Sequence, residues 1–143
     1  MAKNSTHISA DPKAVWSVIE DPGAYPEWVV GTDRTIGVDP RWPAPGSYFR
    51  VHVAAGYADR TVVREIEPGR RIVLDAAAGV LGPARVTITL EAEDGGTRLT
   101  LIEDPAGKLS PLRLVPFVHV AIRLRNRESL RRLQRLVSER IAA

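Results

Sequence analysis

No cysteine occurs among the 143 residues, so disulfides, thiolate nucleophiles and cysteine-based metal sites are excluded. Histidine is nearly as scarce. His7, His52 and His119 are the only three, too scattered along the chain to read as a metal site. There is no glycine-flanked serine elbow, HExxH, phosphate-cradling GxxxxGK or dinucleotide fingerprint. No metal and no cofactor are therefore expected. No stretch approaches the ~20 apolar residues of a membrane span, and the opening "MAKNSTHIS" lacks the apolar core of a signal peptide. A cytoplasmic home is the expectation.

What is present is ordinary for a globular chain: 44% hydrophobic and 26% charged residues. Its length fits one domain over residues 1–143. The net charge of +3 is unevenly spread, because Arg123, Arg125, Arg127, Arg131, Arg132, Arg135 and Arg140 crowd the last stretch. Such a run reads as a solvated helix face. Without interleaved aromatics for base stacking, no nucleic-acid partner is expected.

Asp11 and Pro12 make a helix start, since the carboxylate can cap free N–H groups and proline suits the first helical position. Val15, Trp16, Val18 and Ile19 give that helix one apolar side, and Pro22 stops it. A second short segment carries Tyr25 and Trp28. Strand signals then dominate. "SYFRVHVAAGYADRTVVREIEPGRR" reads as a hairpin with Phe49, Val51 and Val53 on its apolar face. A two-residue bend at Ala55 and Gly56 would set His52 opposite Asp59, a cross-strand pair more in keeping with a solvent-facing role than with a general base. A register bulge is expected near Arg60 and Arg64, which otherwise share a face with Val62 and Ile66. Val86, Ile88 and Leu90 alternate with polar residues, Asp94-Gly95-Gly96 turns the chain, and Leu99 and Leu101 resume the alternation. Glu103 and Asp104, being adjacent, point to opposite faces and make no working carboxylate pair.

The rest, from about Pro111, is helical. Val115, Val118, Ile122, Leu130, Leu133, Leu136 and Val137 form one stripe, shared by His119 and Asn126. Phe117, Val120, Ala121 and Leu124 lie opposite it. That start of the helix, apolar nearly all round, calls for a cover: a dimer partner, a membrane surface or a cavity's mobile gate.

Four segments in register resemble the START-like (SRPBCC) superfamily, in its polyketide cyclase/dehydrase branch: "HISADPKAVWSVIEDPGAYPEW", "VVREIEPGRRIVL", "DGGTRLTL" and "LRNRESLRRLQRL". The resemblance implies an α+β helix-grip fold, a curved antiparallel sheet wrapped around the long C-terminal helix, with two short helices after strand 1. It also implies an elongated apolar cavity between them. Residues expected at that cavity are Trp28, Phe49, Val51, Val86, Ile88 and Leu101 on one side, and Val115, Val118, His119, Ile122 and Asn126 on the helix. No dense polar constellation is expected inside. Three functions follow from different classes: binding of a hydrophobic small molecule such as a lipid, isoprenoid or polyketide; a polyketide cyclase/dehydratase-type enzyme using His119 as acid/base; or an interaction protein. The residues favour binding.

Overall fold

A computed structural model describes residues 1–78, 82–105 and 116–143 of the chain. Seven antiparallel strands form one curved sheet, β1 (Ala2–Ile8), β2 (Thr32–Val38), β3 (Tyr48–Val53), β4 (Tyr57–Glu67), β5 (Arg71–Ala76), β6 (Ala84–Glu93) and β7 (Gly96–Pro105). Their spatial order is β1-β7-β6-β5-β4-β3-β2, so the chain's first strand closes against its last. Helices α1 (Pro12–Ile19) and α2 (Tyr25–Trp28) follow β1, and the 27-residue α3 (Pro116–Ala142) ends the chain. This is the helix-grip architecture.

Local chemistry sets each element. Asp11 accepts from the Lys13 backbone N–H at 2.8 Å, and Pro12 needs no partner at the first position of α1. Asp21 caps the 3-10 turn at Pro22–Ala24 in the same way, accepting from the Gly23 N–H at 2.9 Å. At the β6–β7 turn, Gly95 adopts a φ of 72°, which the two-residue hairpin loop requires.

The hairpin of β3 and β4 departs from the sequence expectation. Its loop has three residues, Ala54 to Gly56, with Gly56 at φ 102° and Val53 paired to Tyr57. The longer loop shifts the register by one. Val51, not His52, faces Asp59, and Arg50 faces Arg60 rather than Thr61. Side chains alternate in a strand, so this parity sends Asp59, Thr61 and Val63 to the interior. His52 instead meets Asp33 of β2, at 3.2 Å. The expected bulge is present, between Val63 and Glu65 in the β4–β5 pairing. It exposes both Arg64 and Glu65 and returns Ile66 to face Ile72.

The main core joins all layers. Val15, Trp16, Val18 and Ile19 of α1 pack with Ile72, Ile88, Leu90 and Leu99 of the sheet and with Leu130, Leu133 and Val137 of α3. Each such side chain contributes about 1.5–3 kcal/mol when fully buried. Polar ties hold α3 in place. The Ser129 hydroxyl accepts from the Val30 N–H at 3.1 Å, the Gln134 amide donates to the His7 carbonyl at 2.7 Å, and Arg140 pairs with Asp21 at 3.0 Å.

Candidate functional site

Among the described residues, two small cavities of about 40 and 30 Å³ lie in the gap between sheet and α3. They share Tyr25, Val29, Val86, Glu103 and Arg125 in their walls. Each admits a few water molecules, since a single water needs ~10–15 Å³ of such space. Sites for drug-sized ligands are larger, roughly 300–1,000 Å³. The expected elongated apolar cavity is thus narrow in this conformation, and its middle is polar.

Glu103 is the centre of that polarity. Leu99, Leu101 and Glu103 alternate inward along β7, and Glu103 is only 4% exposed. Its Oε1 accepts from the Arg125 guanidinium at 2.6 Å and from the Asn126 amide at 3.2 Å, and Arg125 also donates to Asn126 Oδ1 at 3.2 Å. Arg125 reaches inward because it lies on the row Val118, Ile122, Arg125, Ser129, spaced by three and four residues. This corrects the reading of Arg125 as part of a solvated arginine face. Other arginines of that run do stay outside: Arg131 and Arg132 pair with Glu128 on the surface of α3.

Asp59 adds a second interior carboxylate. It accepts from the backbone N–H groups of Arg60 at 2.9 Å and Ala78 at 2.7 Å, which compensates part of its desolvation. Between these charges stands Tyr25, whose ring meets Trp28 and Phe49 edge-on, with centroids 5.6 and 4.9 Å away. Burial pushes its phenol up to about 12. Nearby Arg125 opposes that shift, while Glu103 and Asp59 reinforce it. Tyr25 therefore remains a neutral hydroxyl at physiological pH. The expectation of an interior without a polar constellation is overturned: Glu103, Arg125, Asn126, Asp59 and Tyr25 converge there.

Of the residues singled out from sequence, Trp28, Val51, Val86, Ile88, Leu101 and Asn126 line one or both cavities. Phe49 is buried in a neighbouring cluster with Val51, Val53, Tyr25 and Trp42. Val118 and Ile122 pack with Ala2 in a separate cluster toward the start of α3, and half-buried His119 lines neither cavity. Val115 lies outside the described residues. Tyr25, Asp59, Glu103, Arg125 and Ser129 were not anticipated at the cavity. For Glu103 the signal was its parity with Leu99 and Leu101. For Arg125 it was its place on the buried helical row.

Beyond the gap, Phe117, Val120 and Leu124 are 70%, 51% and 62% exposed on the outer side of α3. Among the described residues, no helix is long and apolar enough to cross a membrane, and no group of three or more His, Asp and Glu could hold a metal ion.

The family described as polyketide cyclase/dehydrase and lipid transport matches residues 2–138 of the chain. The chain belongs to this family. The family places it in the START-like superfamily, and solved structures carry the same fold. Protein MLL2253 from Mesorhizobium loti is similar at 18% identity and a TM-score of 0.75, with 96% of each chain covered. DynU16, a protein of the dynemicin biosynthetic locus, is similar at 20% identity and a TM-score of 0.73, over 96% of this chain and 46% of that one. The di-domain ARO/CYC StfQ of the steffimycin biosynthetic pathway is similar at 15% identity and a TM-score of 0.71, over 99% of this chain and 51% of that one. No curated protein matches the sequence. At these identities the likeness is one of fold, and the fold alone assigns no activity.

Proposed function

We propose that this chain binds a hydrophobic small molecule, of the lipid, isoprenoid or polyketide kind, in the gap between the sheet and α3. The observation that carries this reading is the Glu103–Arg125–Asn126 cluster in a gap whose two cavities also have Val29, Val51, Val86, Ile88 and Leu101 in their walls. A buried ion pair costs several kcal/mol of desolvation per ion, and an apolar core of equal volume is often at least as stable. Polar groups kept at that cost beside an apolar wall are suited to orienting a ligand. Membership of a family described by both polyketide processing and lipid transport agrees with it. Native mass spectrometry on protein isolated gently from its host tests the proposal. A co-purifying hydrophobic molecule, lost on Glu103→Leu/Arg125→Met substitution, is the expected result. Protein that is clean and also fails to take up any of a panel of hydrophobic compounds overturns it.

A second reading, a polyketide cyclase/dehydratase-type enzyme, draws on the same cluster. Tyr25, as a neutral hydroxyl, and Arg125 can polarise a carbonyl, and Glu103 lies beside them as a base. In this reading the acid/base role proposed for His119 from sequence passes to Glu103, because His119 lines neither cavity. Altered products from a poly-ketone substrate with Glu103→Gln, and unaltered ones with His119→Ala, would favour it over simple binding.

The outer face of α3 fits ligand delivery. Phe117, Val120 and Leu124 form an exposed apolar row next to the exposed Arg123 and Arg127. Apolar bulk beside fixed positive charge suits transient contact with an anionic lipid surface.

A further inference from the structure

Arg50 and Arg60 stand directly opposite each other in the β3–β4 pairing. Phe49, Val51 and Val53 of one strand and Asp59, Thr61 and Val63 of the other are buried, so strand alternation puts both arginines on the outer face of the sheet. Both are exposed. Like charges directly opposite one another weaken a strand pair. Every Asp and Glu of the chain lies among the described residues, yet none of them pairs with either guanidinium. The neighbouring arginines do have such partners: Arg34 pairs with Asp33 at 3.0 Å and Arg64 with Asp75 at 3.5 Å. Arg60 instead lies over the Tyr48 ring, 4.8 Å from its centroid.

What flanks the two arginines leaves them open. Gly37 is opposite Arg50 on β2, and a Cβ there would meet nothing within 4 Å. On the other side the exposed Ala77 donates its N–H to the Arg60 carbonyl at 2.9 Å. The row Gly37, Arg50, Arg60, Ala77 therefore carries two guanidiniums between ends with no more than a methyl group. Ile36 and Val38, on either side of Gly37, are exposed along β2, the last strand of the sheet. Arginine and tyrosine beside exposed apolar residues make a composition suited to protein contact.

Spacing says what kind of partner fits. Residues opposite each other across two strands have Cβ atoms about 4.5–5.5 Å apart. Residues four apart on a helix have theirs about 5–6 Å apart. Register shifts break the pairing of β2 at two places, which makes its free edge a poor template for a partner strand. A second copy meeting this face about a two-fold axis would bring the same positive charge.

We infer that the outer face of β2, β3 and β4 docks an acidic helix of a partner protein, two carboxylates one turn apart being received by Arg50 and Arg60, with an apolar neighbour against Ile36 and Val38. Neither arginine lines the two cavities, so this surface stands apart from ligand binding in the gap.

Two alanine-based helical peptides of identical composition test it, each with two glutamates and one leucine. In one the glutamates are four residues apart, on one face; in the other they are two apart, on different faces. Each is titrated into the full chain at low ionic strength and followed in nitrogen–proton correlation spectra. The four-spaced peptide is expected to bind about threefold more tightly, the worth of one further exposed ion pair. That preference should vanish in Arg50→Gln/Arg60→Gln and persist in Arg131→Gln/Arg135→Gln, which removes as much charge from α3. Equal binding of the two peptides, binding of neither, or a preference that survives the Arg50/Arg60 substitutions overturns the inference. So does binding to phosphatidylglycerol vesicles that the same double variant abolishes, since the face would then belong to a membrane. Arg50→Gln alone gives a second readout: relieved of the opposed charge, it should raise Tm by about 1–3 °C while weakening peptide binding. A lowered Tm would mean that the two arginines serve the fold, and would overturn the inference as well. If the double variant does not fold, Arg50→Gln decides.

Discussion

Removing Arg125 should unfold the protein far more readily than removing both members of its ion pair. In Arg125→Met the buried Glu103 carboxylate loses its 2.6 Å partner and keeps only the Asn126 amide at 3.2 Å. Breaking a buried pair on one side costs about 3–5 kcal/mol. The remaining amide contact and the 16% exposure of the Arg125 side chain place this case near the lower end, about 3 kcal/mol. That corresponds to roughly 10 °C in Tm for a domain of this size. The double variant Glu103→Leu/Arg125→Met removes both charges and leaves the Asn126 amide without its acceptor, a loss of about 1 kcal/mol that added apolar packing offsets. It should lie within about 1 kcal/mol of wild type. Urea unfolding followed by far-ultraviolet circular dichroism measures all three proteins. Titration of Tyr25 by tyrosinate absorbance gives an independent check on the geometry. Arg125 holds the phenol down and Glu103 holds it up, so Arg125→Met should raise the Tyr25 midpoint and Glu103→Leu should lower it. A double variant as unstable as Arg125→Met would refute the reasoning, because the pair would then stabilise the fold rather than weigh on it.

Tyr25 itself gives a pH test. Its folded pKa of about 12 lies above the ordinary 10, so the unfolded chain releases this proton first as pH rises. The contribution is complete below pH 10 and is lost toward pH 12, on the order of 2–3 kcal/mol. Tyr25→Phe should therefore lose less stability than wild type over that interval, and parallel profiles would sink the assignment. At the surface, Leu124→Glu should leave the fold intact, since the residue is 62% exposed, and should weaken co-sedimentation with vesicles of anionic lipid. A change in oligomer size by light scattering, with vesicle binding unaffected, would instead mark this face as a contact between copies.

The fold was legible because its signals are local and repeated. Asp11-Pro12, the alternation through Val86, Ile88 and Leu90, and the stripe of α3 each fix an element without reference to the others. The interior chemistry was less legible, for two reasons of geometry. One added residue in the β3–β4 loop inverts the strand's parity, so Asp59 turned inward although its sequence neighbours suggested a surface pair with His52. Arg125 sits in a run of arginines, where composition argues for solvent. Only its distance of three and four residues from Ile122 and Ser129 argues for burial. The parity of Glu103 with Leu99 and Leu101 pointed inward, but its ionic partner is visible only once Arg125 is placed on the buried row of α3.

The smallness of the two cavities has a kinetic consequence. Spaces of about 40 and 30 Å³ are too small for an organic molecule, so under the proposed function ligand capture would wait on helix and sheet parting rather than on collision. Observed association rates would then level off at high ligand concentration. A guest once enclosed would also be slow to leave.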